Sequence, residues 1–282
     1  MMAIELGGAF LVSAAVGAWA RRGLTSNLRL LRLQQAAAAG HNDVVTELIE
    51  AGLLVDAAAE DGRTALIIAA AADQAATVRI LLSMGASPRA CVHGDGLTAA
   101  HIAAARNGVR VLDMLLDADA RLGNVSDSAG LTPLHHACAN GHAEAVDMLL
   151  VTFGFAVDVQ AASADGATPL ALAACCGSQP CVKVLIEHGA QVEAADKAGE
   201  TALHRACAAG HLPVAALLLD AGASMFRENR RGETAADLAA AAGAESLARL
   251  LKQHHAHRLA AGQREANVAQ LVSERLLDWA CH

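Results

Sequence analysis

The chain has 282 residues and a formal net charge of −8 at pH 7; hydrophobic residues make up 54% of it and aromatic residues only 2%. This length suits one large domain or two ordinary ones, and a core with so few aromatic residues must be built from Ala, Leu, Val and Ile, which favours helices. The negative charge argues against a nucleic-acid-binding protein, because such proteins concentrate Lys and Arg to neutralise phosphates.

The chain begins with an apolar stretch, LGGAFLVSAAVGAWA at residues 6–20, which Arg21 and Arg22 follow. It is shorter than the roughly 20 residues of a membrane span, and the residues before it carry Glu5 but none of the positive charge of a signal peptide. A packed helix, a membrane anchor and a signal peptide all remain open. We therefore treat residues 1–27 as a separate N-terminal segment, either a packed helix or a membrane anchor.

Internal repeats follow this segment. Six copies of one pattern each contain a Thr, and successive Thr residues are 34, 34, 36, 33 and 33 positions apart. The six are Thr64, Thr98, Thr132, Thr168, Thr201 and Thr234. An incomplete copy at residues 31–52 precedes them, with Leu31 in place of the Thr. A period of about 33 residues with a T-P-L-H-x-A core, here TPLHHA, is typical of ankyrin repeats.

The chain thus resembles the ankyrin-repeat protein family over about residues 28–256. The resemblance implies an all-α solenoid, an ankyrin-repeat stack in which each unit has two antiparallel helices and a β-turn finger. We expect about seven repeats, including degenerate terminal ones. The interval of 36 predicts a three-residue insertion around residues 153–157 that forms a bulged outer loop.

Individual residues favour the same architecture. Thr132 can cap the first helix of its repeat with its hydroxyl group, and Pro133 then occupies the first helical position, where its missing N–H costs nothing. Gly141 and Gly210 fall between the two helices of a repeat, where a left-handed residue is needed. Asn107 occupies the same position in another repeat, and Asn tolerates this conformation better than most residues.

The C-terminal residues 257–282 contain NVAQLVSERLLDWACH, whose apolar residues recur at helical spacing. They predict an amphipathic helix that either caps the last repeat or binds a partner. The preceding HHAH, residues 254–257, could hold a metal ion through an i, i+3 pair, but a solvated, pH-sensitive helix end explains it better.

Histidines recur at two repeat positions. One set lies three residues after the Thr: His101, His135 and His204. The other set follows the inter-helix Gly: His41, His142 and His211. The family resemblance implies that the first set bonds to the Thr and to neighbouring backbone. Because residues that recur with the repeat serve the fold, we predict no catalytic residue and no metal site among them.

The cysteines do not show the spacing of a disulfide framework. The chain has seven, an odd number, as expected for reduced thiols in a cytosolic-type compartment. Cys175, Cys176 and Cys181 form a CC-x4-C sequence, which is not a zinc or redox spacing, so we expect buried thiols. No phosphate-binding loop, nucleophile elbow or HExxH sequence occurs. The sequence therefore predicts no enzyme, no cofactor and no small-molecule substrate.

We predict a cytoplasmic protein–protein interaction module or adaptor that binds another protein, not nucleic acid, through its finger tips and concave face. The alternative is a membrane-tethered ankyrin scaffold anchored by residues 6–20. The resemblance implies that contacts come from the finger tips before each Thr and from the ends of the first helices. The predicted partner-binding residues are Arg63, Asp95, Leu97, Arg106, Leu131, Asn140, Asp165, Lys197, Arg230 and Arg231.

Two of these residues suggest an anchor point. Leu97 and Leu131 occupy equivalent places on adjacent fingers, where a solvated turn normally prefers polar residues. We expect a partner to insert an apolar side chain between these fingers. Asp95 and Asp165 would then favour basic residues on either side of that apolar side chain.

Overall fold

The computed structural model describes residues 27–154 and 156–244. The apolar stretch at residues 6–20, the HHAH sequence and the C-terminal helix predicted at residues 257–282 all lie outside the described residues. The chain divides into two compact units, residues 1–163 and residues 164–282.

Within the described residues, both units consist of short helices in pairs. The first unit contains α1 (27–39), α2 (Asn42–Glu50), α3 (Ala65–Ala71), α4 (Ala75–Ser83), α5 (Ala99–Ala105), α6 (Val109–Ala118), a 3-10 helix (Ala120–Asn124), α7 (Pro133–Ala139) and α8 (Ala143–Val151). The second unit contains α9 (Pro169–Cys176), α10 (Gln179–Glu187), α11 (Ala202–Ala208), α12 (Leu212–Asp220) and α13 (Ala235–Ala241).

The helices stack in register within each unit. A first helix such as α5 contacts the second helix of its own repeat, α6, and the first helices on either side, α3 and α7. In the second unit α11 likewise contacts α9, α12 and α13. Each repeat therefore buries its apolar faces against its neighbours, as in a repeat solenoid.

Fingers connect successive repeats. Isolated antiparallel bridges close four of them, such as the bridge between Ala195 and Thr201. Adjacent fingers are joined through their backbones: the Ser128 N–H donates to the Asp95 carbonyl over 2.9 Å, and the Lys197 N–H donates to the Asp165 carbonyl over 2.9 Å. The finger tips are therefore held in fixed positions relative to one another within each unit.

The first helices begin where the sequence predicts. Thr132 is the N-cap of α7, with Pro133 in the first turn, and the helix opens with a capping box formed by Thr132 and His135. Thr98 with His101 and Thr201 with His204 form the same box. A side chain that satisfies an otherwise unpaired N–H at a helix start stabilises that start by about 1 kcal/mol.

The turns inside the repeats also agree with the sequence. Gly141 has a φ of 71°, Gly210 a φ of 75° and Asn107 a φ of 58°, so all three adopt the left-handed conformation. Asp73 adopts it too, with a φ of 53°, which was not predicted. Asp and Asn tolerate this conformation because their short polar side chains can bond locally.

Two expectations about packing were wrong. Cys91, Cys175 and Cys176 are exposed because they lie on a finger or at the open end of α9, whereas Cys138, Cys181 and Cys207 are buried. The insertion after α8 does not simply bulge outward: Phe153 and Val157 are only 6% and 7% exposed. Burying these two apolar side chains draws the insertion back against the unit.

Candidate protein-binding surface

A pocket of about 370 Å³ lies in the first unit, between α3, α5 and the fingers that precede them. Its apolar lining comprises Ile67, Ile68, Ala71, Val92, Leu97, Ile102 and Ala105. The charged residues around it are Arg63, Asp95 and Arg106. We call this site the isoleucine pocket. Apolar walls with a few charged groups at the edge are typical of binding sites.

One repeat position supplies much of this apolar surface. Ile68 and Ile102 each lie four residues after the Thr of their repeat, and both are half-buried. The same position is half-buried in every later repeat, where it holds His136, Leu172, Arg205 and Leu238. Within each unit the first helices therefore present a row of equivalent side chains at this position, and the chemistry of the position changes from repeat to repeat.

Two residues at this repeat position, His136 in the first unit and Arg205 in the second, bind carboxylates on the fingers. His136 Nε2 lies 2.9 Å from Asp127 Oδ2, and a guanidinium nitrogen of Arg205 donates to Asp196 Oδ2 over 2.7 Å. The other oxygen of each carboxylate accepts two backbone N–H groups of its own finger. At these repeats a polar contact replaces the open apolar surface found at Ile68 and Ile102.

The pKa values of the two finger carboxyl groups follow from this arrangement. Burial acts to raise the pKa of Asp196, but the hydrogen bonds from Arg205 and from backbone N–H groups outweigh burial and lower it. The pKa of Asp127 is lowered in the same way, with His136 in the place of Arg205. Both carboxylates are therefore stabilised in their charged form.

Four of the ten predicted partner-binding residues meet at the isoleucine pocket: Arg63, Asp95, Leu97 and Arg106. Leu131 is half-buried but is not among the residues that line it. Asn140 is exposed in the first unit, and its side-chain amide donates to the His136 carbonyl over 2.8 Å. The remaining predicted residues, Asp165, Lys197, Arg230 and Arg231, are exposed in the second unit.

The isoleucines themselves were not among the predicted partner-binding residues. Ile67, Ile68 and Ile102 lie inside first helices, where apolar residues are expected to serve the core. A signal was available, because Ile68 and Ile102 share one repeat position that holds His or Arg in other copies. A position that accepts such different residues within one chain is not fully buried.

The recurring histidines hold repeats together. The Thr98 N–H donates to His101 Nδ1 over 3.1 Å, and Nε2 of the same ring donates to the Leu131 carbonyl of the next repeat over 3.1 Å. At the other recurring position, His142 Nε2 donates to the Ala105 carbonyl over 3.0 Å. The structural role predicted for these side chains is confirmed by these contacts. Within the described parts of the chain, no group of three or more His, Cys, Asp or Glu side chains is placed to hold a metal ion.

The family model for ankyrin repeats matches overlapping segments that together run from residue 1 to residue 260: residues 1–90, 33–124, 100–196, 151–229 and 193–260. The chain belongs to the ankyrin-repeat family. No curated protein sequence matches it.

Solved ankyrin structures resemble the chain along most of its length. The human ASB11 ankyrin repeat domain has a TM-score of 0.69 and 28% sequence identity, over 79% of this chain and 96% of that domain. The ankyrin repeat domain of Bcl-3, a member of the IkappaB protein family, has a TM-score of 0.63 and 30% identity, over 73% of this chain and 92% of that domain. Ankyrin repeat domains generally mediate protein–protein interactions and are typically not enzymes.

No helix of this ankyrin domain, within residues 27–154 and 156–244, is both long enough and apolar enough to cross a membrane.

Proposed function

We propose that the protein is an interaction module or adaptor that binds another protein at the isoleucine pocket and along the neighbouring finger tips. The observation that carries the proposal is the pocket itself, which exposes part of Ile68, Ile102 and Leu97 beside three charged residues. Partly exposed apolar surface with a polar edge is the usual composition of a site where proteins meet.

The partner can be identified by affinity purification of the full chain followed by mass spectrometry. Replacing Leu97 and Leu131 together with Ser should then weaken capture of that partner at least about tenfold, which is about 1.4 kcal/mol. Both side chains are only half-buried, so we expect the melting temperature to change little. The loss of capture should therefore report lost contact rather than unfolding.

A matched control is Leu54→Ser, because Leu54 is 77% exposed but does not line the isoleucine pocket. This variant should capture the partner as well as the unchanged chain does. Undiminished capture by a folded Leu97→Ser, Leu131→Ser variant would refute this location and direct attention to the fingers that carry Lys197, Arg230 and Arg231.

We also propose that the module works in the cytoplasm, which the exposed cysteines Cys91, Cys175 and Cys176 support, because exposed thiols persist in a reducing compartment. The alternative, a scaffold tethered to a membrane by residues 6–20, rests on that uncharged apolar stretch and the two arginines after it. Cell fractionation of the full chain beside a chain that begins at residue 27 separates the two. Recovery of the full chain alone in the membrane fraction would favour the tether.

A further inference from the structure

We infer that the isoleucine pocket recognises a short linear segment of its partner in which one apolar side chain lies between a carboxylate and a cation. This inference rests on the proposed function and adds the chemistry of the partner to it. Three features of the first unit carry it: the size of the pocket, the unpaired Arg106 side chain, and the position of Asp95 on the facing finger.

The pocket can take a side chain but not a folded surface. Its volume of about 370 Å³ is near the lower end of the range of small-ligand pockets, about 300–1,000 Å³. The side chains of Ile68, Ile102 and Leu97 contribute apolar surface to its wall. An aliphatic or aromatic side chain on an extended peptide fits both the size and the chemistry.

The apolar part of the bound segment must also be short, because the apolar surface extends over only two repeats. The repeat that follows Ile102 places His136 at the equivalent position, and His136 is held by Asp127 at 2.9 Å. The imidazole ring of His136 meets that of His101 edge-on, with centroids 5.4 Å apart. The open apolar row therefore ends after two repeats, which limits the apolar contact to one anchoring side chain and its close neighbours.

Arg106 supplies the site for the carboxylate. It lies eight residues after its Thr, where the other five repeats have uncharged residues: Ala72, Asn140, Cys176, Ala209 and Ala242. The Arg106 side chain is exposed and makes no hydrogen bond or ion pair with another described residue. Arg63, by contrast, is partly engaged, because its Nε lies 3.2 Å from Asp61 Oδ2. A free guanidinium beside an apolar pocket can bind a carboxylate through two parallel hydrogen bonds.

Asp95, on the finger that precedes α5, supplies the negative charge. Its backbone carbonyl accepts the Ser128 N–H, and the Val92 N–H donates to the Leu97 carbonyl over 2.9 Å, so the finger that carries it is fixed. Its carboxylate is exposed and has no bond to another described residue. Because Asp95 precedes α5 and Arg106 follows it, opposite charges near the two ends of this helix give a bound peptide a preferred direction and disfavour segments with the reverse order.

The test uses the full chain and a displayed library of random linear peptides. We expect the enriched peptides to share an acidic residue, an apolar residue and a basic residue in close succession. Binding of a synthetic consensus peptide, followed by fluorescence polarisation, should weaken at least about tenfold on Arg106→Ala and further on Arg106→Glu. A peptide with Lys in place of its acidic residue should bind Arg106→Glu more tightly than it binds the unchanged chain.

Two further variants locate the binding. Ala105→Arg should block the pocket and abolish peptide binding, whereas Ala208→Arg, at the same repeat position in α11, should leave it intact. Ala209→Glu is the matching control for Arg106→Glu, and melting curves confirm that each variant is folded. Enriched peptides without an acidic residue, or peptides that still bind Ala105→Arg, would overturn the inference.

The outcomes also separate this inference from the proposed function. If peptides bind Ala105→Arg unchanged, the chain is still an interaction module, but its preference is decided elsewhere. If no peptide is enriched while the native partner is still captured, the linear-segment chemistry is wrong. Failure of both peptide enrichment and partner capture would refute the interaction function as well.

Discussion

The surfaces of α5 and α11 differ although their sequences align residue for residue. Ile102 on α5 is half-buried and lines the isoleucine pocket. Arg205 occupies the same repeat position on α11 and is held by Asp196, whose side chain is only 4% exposed. Two positions therefore decide together whether a first helix presents an apolar pocket or a closed polar contact: the helix residue itself and the finger residue five before the Thr, which is Asp196 beside Arg205 but His93 in the repeat of Ile102.

These repeats separate their structural positions from their variable ones. Thr98 and His101 on α5 and Thr201 and His204 on α11 form the same capping box. The next position along the helix is free to change, because its side chain is only partly buried. An array with an almost invariant core can in this way carry different surfaces in its two units.

The largest effect should come from the shared core. Leu149 on α8 and Leu218 on α12 lie at the same repeat position and are both fully buried. Leu149→Ala and Leu218→Ala should each lower the free energy of unfolding by about 2–5 kcal/mol, through lost burial and the cavity left behind. Chemical denaturation measures both. A loss below a few tenths of a kcal/mol in either variant would show that the cores are not equivalent.

The second prediction tests His101, a buried histidine of the first unit. Burial, assisted by the nearby His136, lowers the pKa of His101 to about 4, whereas an unfolded His has a pKa of about 6.5. Between these values the unfolded chain binds a proton that the folded chain excludes. The contribution of His101 is therefore complete above about pH 6.5, and about 3 kcal/mol is lost as the pH falls toward 4.

Denaturation curves collected at several pH values between 7 and about 4 would show this loss. His101→Gln cannot take up the proton and should flatten that part of the profile, even though the variant is less stable at pH 7. A profile that is the same with His and with Gln at position 101 would contradict the assignment. Measurements should stop near pH 4, where protonation of carboxylates adds its own effect.

The third prediction concerns the finger carboxylates. In Asp196→Asn the side-chain oxygen can still accept the Ala198 and Glu200 N–H groups, but the charge that binds Arg205 is lost. We expect a cost of about 1.5–3 kcal/mol, as for a charge-assisted hydrogen bond. Asp127→Asn should cost less, because imidazole is a weaker partner than the permanently charged, planar guanidinium of Arg205.

A double variant makes this comparison sharper. Replacing Asp196 with Asn and Arg205 with Leu removes both charges and gives α11 an apolar residue where α5 has Ile102. The double variant should be more stable than Asp196→Asn alone, because the single variant leaves the Arg205 guanidinium with only its longer contact, 3.9 Å, to Glu200. Equal instability of the single and double variants would mean that Asp196 acts mainly through its own finger.

The smallest effect should come from His135. His135 Nδ1 accepts the Thr132 N–H over 3.1 Å, and His135→Gln should lower the free energy of unfolding by about 1 kcal/mol, the usual contribution of one such hydrogen bond. Metal analysis of both purified proteins completes the test. Stoichiometric zinc that is present in the unchanged chain and absent from His135→Gln would contradict the structural role.

The sequence predicted the fold well because the relevant interactions are local and repeated. The Thr before each first helix accepts a hydrogen bond from the N–H three residues away, as Thr64 and Thr168 do. Gly141 and Asn107 adopt the left-handed conformation that the turn between the two helices requires. Six copies in register confirm one another. The candidate site was predicted only in part: Arg63, Asp95, Leu97 and Arg106 meet at one pocket, but Leu131 does not line it.

The sequence by itself determined the helix starts, the turns and the capping role of the His three residues after the Thr, because each depends on residues within a few positions of one another. The repeat period follows from the recurrence of these local patterns along the chain. Only the tertiary structure decided which finger and helix residues share a pocket, that Cys175 and Cys176 are exposed, and that Phe153 is buried. These features depend on contacts between different repeats. Such contacts are set by how the repeats pack, which no single repeat encodes.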